Sequence, residues 1–381
     1  MMKFELHDMA TMMTVILCFL FAAMILASGK FKPISACLLS AFFLSQSLIS
    51  FHELILYGDE LRSTVLGFSP NLFFVASLGY AIDGPLLYLY ANSLIRKDFN
   101  IGYSHRLHIL PLLGYFVFLV FAYYLQQQAV KSQIINLYLF DLQWHFVTSD
   151  TLLKFIRLVY FLLALNLINK YREQLKQSRS SIEDIDLTWL KILVLGFSAV
   201  ALVGLILALA KLLTLFIEID IWWLILLGLS TYYGTLFLVC SLLFFSALNI
   251  SSVAEVKERT EKSHIDYQAD PEYIERVERL MKQQKPYLMS NITFDALSQQ
   301  FDVPPRELSA TLNGHFKKNF YEFINEYRIE EAKLLLDSES HSEKTITDIY
   351  IEAGFNSKSV FNTFFKKKVG MTPSEYRKKS A

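Results

Sequence analysis

The chain has 381 residues, a formal net charge of zero, 53% hydrophobic and 15% aromatic residues and a positive mean hydropathy. That balance excludes an ordinary soluble protein, because one folded chain of this size cannot hide so much apolar surface from water. The surplus has to be buried in lipid.

A helix needs roughly 20 mainly apolar residues to cross a ~30 Å hydrocarbon core. Seven stretches qualify, at about 9–28, 34–57, 68–95, 106–125, 152–170, 190–215 and 222–247. The third is interrupted by Asp83-Gly84-Pro85, and the fifth opens with Lys154 and Arg157. The first reads as a retained helix and not a signal peptide, since MMKFELHD lacks a basic leader and no small-x-small cleavage site follows. With the N-terminus outside, the inner loops hold nine basic residues: Lys30, Lys32, Arg96, Lys97, Arg106, Lys170, Arg172, Lys176 and Arg179. The outer segments hold Lys3, Arg62 and Lys131. That asymmetry places the C-terminus in the cytoplasm and the chain in a bacterial inner membrane as a multi-pass protein, with the bilayer as one partner.

Cys18, Cys37 and Cys240 fall inside expected spans and read as small apolar filler, with no disulfide or metal framework. Ionisable groups inside spans are costly and mark either a site or an internal pair. His52, Glu53, Asp83, Lys154, Arg157 and Lys211 are the candidates for a ligand pocket open to the outside, fit for a small polar or anionic ligand; the bland reading pairs them with one another. The outer loop at 126–151 is too short for a ligand-binding domain of its own, so sensing falls to that loop, to the bundle or to a periplasmic partner. The inner loop at 171–189 is charged and reads as a solvated face.

After a membrane domain at 1–248, hydropathy drops over 249–270, which reads as a linker, either a charged helix or a passive tether. From Pro271 helical periodicity resumes, with Tyr273, Ile274, Val277, Leu280 and Met281 on one face. A long helix is expected at 319–336. Beyond it, Ile346, Ile349 and Ile351 recur at helical spacing before a Gly-Phe-Asn-Ser break, and Val360, Phe361, Phe364 and Phe365 recur after it. Gly354 can take the left-handed conformation that ends a helix, and Ser357 can cap the next. Thr372, Pro373 and Glu375 then form a complete helix start. The result is a helix-turn-helix at about 345–368.

These residues resemble the AraC/XylS family of transcriptional regulators. The G-F-x-S part of the hallmark reads Gly354-Phe355-Asn356-Ser357 with Ala353 directly before it, followed by Phe365-Lys366, Gly370, Thr372-Pro373 and Tyr376-Arg377. The resemblance covers about 271–381 and implies a tandem domain, with a first helix-turn-helix at about 293–316 carrying Ala296-Leu297 and Leu308-Ser309 at the family's positions. A connecting helix of ~18 residues would span ~27 Å, compatible with two recognition helices about one DNA turn, ~34 Å, apart. The first unit departs from the pattern: Asp302 and Lys317 stand where the family has glycine, and Pro304 where it has a Ser or Thr cap. The second unit keeps its punctuation and is expected to be the better-formed reader.

By resemblance, Lys358, Ser359, Asn362 and Thr363, with Lys366 beyond them, face DNA in the second unit, and Arg306, Ser309, Ala310 and Asn313 do so in the first. Lysine can donate to guanine and asparagine can pair with adenine. Lys367 and Lys368 read as phosphate contacts alongside Lys366. Leu308, Leu312, Phe361 and Phe365 are expected core. From 286 to 381, 13 Lys plus Arg balance 13 Asp plus Glu, but from Ala353 onward Lys358, Lys366, Lys367, Lys368, Arg377, Lys378 and Lys379 face only Glu375. Basic charge is thus concentrated at the C-terminal end.

No phosphate-cradling glycine loop, HExxH or nucleophile elbow is visible, and His315 and His341 stand alone, so no enzyme, cofactor or metal is expected. The fold class expected is all-α, a seven-helix transmembrane bundle followed by a cytoplasmic double helix-turn-helix domain. The function expected is a membrane-bound one-component regulator of promoter DNA, with RNA polymerase and a homodimer as partners implied by the resemblance. The rival is a membrane transporter or enzyme with a cytosolic interaction tail.

Overall fold

The computed structural model describes residues 5–27, 33–96, 99–182, 187–248, 270–338 and 343–380. His341 and the expected linker, apart from Asp270, lie outside these residues. Among the described residues the chain is helical, and the one β-type pairing is an isolated antiparallel bridge between Arg179 and Thr293. The chain divides into two compact units: 1–168 with 187–258, and 169–186 with 259–381.

The first unit contains α1 (Leu6–Ala27), α2 (Pro33–Tyr57), α3 (Asp59–Phe68), α4 (Gly79–Ile95), α5 (Leu110–Leu119), α6 (Gln128–Asn136), α7 (Leu139–Leu142), most of α8 (Trp144–Ser178), α9 (Thr188–Leu213) and α10 (Ile221–Leu248). Seven helical stretches are long and apolar enough to cross a membrane, and each overlaps a stretch expected from sequence. Two differ in form. The third begins as short 3-10 turns at Pro70–Leu72 and Ala76–Leu78 before α4. The fifth, α8, is 35 residues long. Hydropathy outlines only its apolar middle, whereas lysine, arginine and glutamate continue a helix readily.

In this unit α1 packs on α2 and α10, α2 on α4, and α9 on α10. Aromatic residues fill the joints: the rings of Phe21 and Phe43 meet edge to face at 4.5 Å, and those of Phe42 and Phe197 at 4.9 Å. A second cluster gathers Phe73, Phe74, Tyr123, Phe140 and Phe146. Gly84 lets α4 approach α8 closely. A Cβ there would lie 2.9 Å from Cβ of Tyr160 and 3.3 Å from Cα of Arg157.

The second unit contains α11 (Pro271–Gln284), α12 (Phe294–Phe301), α13 (Pro305–Ser309), α14 (Phe320–Asp337), α15 (Ile346–Glu352), α16 (Lys358–Val369) and α17 (Pro373–Ser380), joined by residues 169–186. The expected apolar face of α11 is present: Val277 and Met281 are fully buried, with Tyr273 and Leu280 packed beside them. The inner loop differs from its expected form. Residues 171–178 extend α8, and Ser180 and Ile182 are buried. A charged stretch of this kind keeps its ionic groups in water while its small and apolar residues pack.

Candidate nucleic-acid interface

Two small cores meet on α14. Phe320, Phe323 and Ile324 close the core of the first helix-turn-helix around Leu297, Phe301, Leu308 and Leu312. Ile329, Ala332 and Leu336 close the second around Ile349, Phe355, Phe361 and Phe365. The four expected core residues, Leu308, Leu312, Phe361 and Phe365, are at most 1% exposed. Between the two cores lies Arg328, 1% exposed, whose Nε donates to Tyr287 O at 2.7 Å and whose Nη2 donates to Met289 O and Ser290 O at 3.0 Å. A buried guanidinium is tolerable only when its fork is filled, and here carbonyl dipoles fill it. The α14 helix starts at Asn319, whose side chain accepts from Glu322 N.

The second helix-turn-helix has the punctuation its sequence promises. Thr345 and Asp348 cap α15 reciprocally, Ala353 and Gly354 close it with Gly354 at φ 89°, and Ser357 caps α16. Gly370 ends α16 at φ 83°, and Thr372 and Glu375 exchange hydrogen bonds at the start of α17. Hydrogen bonds from Thr345 hold the Asp348 carboxyl below its usual range, and the Thr372 N–H does the same for Glu375. These bonds favour the charged form of each carboxyl. Lys358, Ser359, Thr363, Lys366, Lys367 and Lys368 are exposed, and Asn362 is half-buried. Thr363 Oγ1 donates back to Ser359 O, and Lys368 Nζ lies 3.5 Å from Glu326, which also pairs with Lys318. Lys366 and Lys367 carry no such ion pair in the described structure, so the phosphate-type charge is most accessible there.

The first helix-turn-helix shows the strain its substitutions imply. Asp302 and Lys317 adopt φ of 48° and 56°, the left-handed region that glycine would occupy, and Pro304 supplies no side-chain cap to α13. Each left-handed non-glycine residue costs about 1–2 kcal/mol. The α13 helix is only five residues long and passes into a π-helical turn at Ala310–His315. Arg306 is exposed, and Ser309 and Asn313 are half-buried and joined by an Asn313 Nδ2 to Ser309 Oγ bond of 3.2 Å. Ala310 is 8% exposed, which corrects its expected place on the DNA face. A methyl buried to that extent leaves little surface for a base edge. The first helix-turn-helix thus has a short second helix with Arg306 as an exposed cation.

In the other unit, the pocket candidates form pairs. Arg157 Nε lies 2.5 Å from Asp83 Oδ2, and Gln46 joins both, donating to Asp83 at 3.0 Å and accepting from Arg157 at 3.3 Å. Glu53 accepts from Tyr80 at 2.7 Å and from Tyr232 at 3.1 Å. Lys211 donates to Asp141 at 2.6 Å and to Tyr57 at 2.9 Å, and Lys154 pairs with Asp150 at 2.7 Å. The Tyr80 ring lies within cation-π range of Lys154 and Arg157. His52 is buried at 6% exposure, with Nδ1 unbonded. Gln46, Tyr80 and Tyr232 were not legible from charge, since all three are uncharged at neutral pH. Among the described residues no group of His, Cys, Asp and Glu is arranged to hold a metal.

Residues 297–379 match the family described as a helix-turn-helix domain. Over 102 residues, 27% of this chain and 36% of the relative, the chain is 26% identical to the HTH-type transcriptional activator RhaS of Escherichia coli. Over 87 residues, 23% of this chain and 11% of the relative, it is 33% identical to the uncharacterized HTH-type transcriptional regulator SACOL0084 of Staphylococcus aureus (strain COL). The chain thus spans little more than a third of the first relative's length and about a tenth of the second's. No solved structure matches it. The family match lies wholly within the second unit, which therefore carries a helix-turn-helix domain similar to those of transcriptional regulators and in keeping with the AraC/XylS resemblance.

Proposed function

We propose that the protein is a membrane-bound one-component transcription regulator. Its first unit resides in the bacterial inner membrane as a seven-helix bundle with the N-terminus outside, and its second unit reads promoter DNA from the cytoplasm. The observation that carries this reading is the joining, in one chain, of seven long apolar helices to a helix-turn-helix domain with a capped, solvent-facing α16. Exposed aromatics support the membrane half: Phe19, Phe121, Phe237 and Phe244 are 59%, 67%, 75% and 69% exposed, and lipid is the solvent suited to such a surface. Base contacts fall to Lys358, Ser359, Asn362 and Thr363, with Arg306, Ser309 and Asn313 contributing from the first helix-turn-helix, and Lys366, Lys367 and Lys368 meet phosphates. RNA polymerase and a second copy of the chain complete the assembly.

The sensing part is the set of buried and half-buried polar groups His52, Glu53, Asp83, Lys154, Arg157 and Lys211. Losing one partner of a buried ion pair leaves a charge stranded at a cost of about 3–5 kcal/mol. A polar ligand that substitutes for one partner therefore has the differential affinity for two helix arrangements that a population shift requires.

The test uses the full chain in lipid nanodiscs and a DNA duplex selected from a random library. Lys358→Ala and Asn362→Ala are expected to weaken binding about 5- to 150-fold, the range of one base contact, while Lys367→Ala lowers the salt slope by about one. Absence of DNA binding at any salt, with solute flux in vesicles, would establish the rival transporter reading.

A further inference from the structure

The segment that follows α8 is built into the helix-turn-helix unit. Arg179 pairs with Thr293 across the isolated bridge, and Ser180 N donates to Ile292 O at 3.3 Å while its Oγ donates to the same carbonyl at 2.8 Å. Thr293 is the residue whose side chain caps α12, so the segment sits at the entrance of the first helix-turn-helix. The Ser180 carbonyl accepts from Arg328 Nη1 at 3.2 Å and from Asn325 Nδ2 at 3.3 Å, and Ser180 Oγ accepts from Arg328 Nη2 at 3.2 Å, all on α14. Next door, Ser181 Oγ accepts from Nδ2 of Asn356, the turn residue before α16, at 3.2 Å; the same Nδ2 donates to Asn291 at 2.7 Å. Ser180 is 1% exposed and Ile182 4%. Arg179, Ser180 and Ser181 thus touch the entrance of the first reader, the connecting helix and the turn of the second.

A solvated loop would not bury a serine that makes these five hydrogen bonds, because each contact has to offset the ordering of the chain. A strap that bonds to both readers and to the helix between them removes freedom in their relative placement. Two readers on one duplex gain affinity through effective concentration only when their spacing is held.

We propose that residues 179–182 are a positioning strap for DNA recognition, fixing the register of the two helix-turn-helix units. This rests on the proposed function, since it concerns how the reader grips DNA. The strap continues directly from α8, the fifth apolar helix, so the reader is joined to the membrane helices there as well as through 249–269.

The experiment compares, for the full chain in nanodiscs, affinity for a selected two-site duplex and for each half-site. Ser180→Trp displaces the strap and is expected to weaken two-site binding at least tenfold while half-site binding stays unchanged; Lys176→Ala, on an exposed i,i+3 pair, changes neither. Unchanged two-site binding, or an equal fall on both duplexes, overturns the proposal. A second measurement is independent of DNA. In a chain with Cys18, Cys37 and Cys240 replaced by alanine, Ser181→Cys with Asn356→Cys is treated with diamide, which oxidises the two thiols to a disulfide and is itself reduced to the hydrazine. An intramolecular cross-link with two-site affinity retained is expected, and its failure to form overturns strap docking. A wild-type chain that binds no duplex overturns the proposed function itself and is seen before any variant is made.

Discussion

Two glycines close helices in the second helix-turn-helix, and they predict different consequences for the same substitution. Gly354 and Gly370 both hold positive φ, 89° and 83°, so alanine at either position meets the left-handed penalty of about 1–2 kcal/mol. Around Gly370 nothing lies within 4 Å of an added Cβ. At Gly354 that Cβ would lie 2.6 Å from Tyr287 O and 3.0 Å from Leu288 Cα, backbone atoms that cannot swing aside. Overpacking of that kind costs a further ~1–3 kcal/mol. Gly370→Ala is therefore expected to destabilise by about 1–2 kcal/mol, and Gly354→Ala by about 2–5 kcal/mol, taking the two terms together. Hydrogen exchange by mass spectrometry on the full chain in nanodiscs reads this locally. Amides of α15 and α16 are expected to lose about 5- to 30-fold of protection in Gly370→Ala, and about 30-fold to several thousand-fold in Gly354→Ala, at 1.4 kcal/mol per tenfold. The segment around Tyr287 and Leu288 should loosen only in Gly354→Ala. Equal losses in the two variants would refute the close approach of the turn to that segment.

Phe361 is fully buried against Phe355 and Phe365, with ring centroids at 5.3 and 5.5 Å, so Phe361→Ala is expected to cost about 3–5 kcal/mol and to abolish protection of α16 in the same exchange measurement. Arg157→Ala strands Asp83, which is fully buried, and is expected to lower the thermal midpoint of the detergent-solubilised chain; adding Asp83→Leu should restore part of the loss, and a single variant as stable as wild type would contradict the pairing. The capping carboxylates give a pH signature. Because Asp348 and Glu375 are held below their usual range when folded, their contribution is fully present above about pH 4 and fades as pH falls through the lowered values. Amide protection at the starts of α15 and α17 should weaken only in that acid window, and Asp348→Asn and Glu375→Gln should flatten the dependence.

The amino-acid sequence determined by itself whatever is settled within a few residues of chain. Lipid demands length and apolarity of each helix separately, which is why seven stretches are visible without any contact being known. Left-handed closures at Gly354, Gly370, Asp302 and Lys317 and the capping pair Thr372–Glu375 are equally local, since φ and a three-residue hydrogen bond decide them. Even there, the π-helical turn at Ala310–His315 escaped helical periodicity, which assumes 3.6 residues per turn throughout. Tertiary structure alone decided which distant polar groups meet. Asp83 finds Gln46 37 positions away, and Arg157 finds Gln46 111 positions away. Nothing near Ser180 marks it as the partner of Arg328, 148 positions on, because its environment is supplied by carbonyls and side chains from the far end of the chain. A serine in a charged loop reads as solvated until packing brings those groups to it, and that packing made the loop part of the reader.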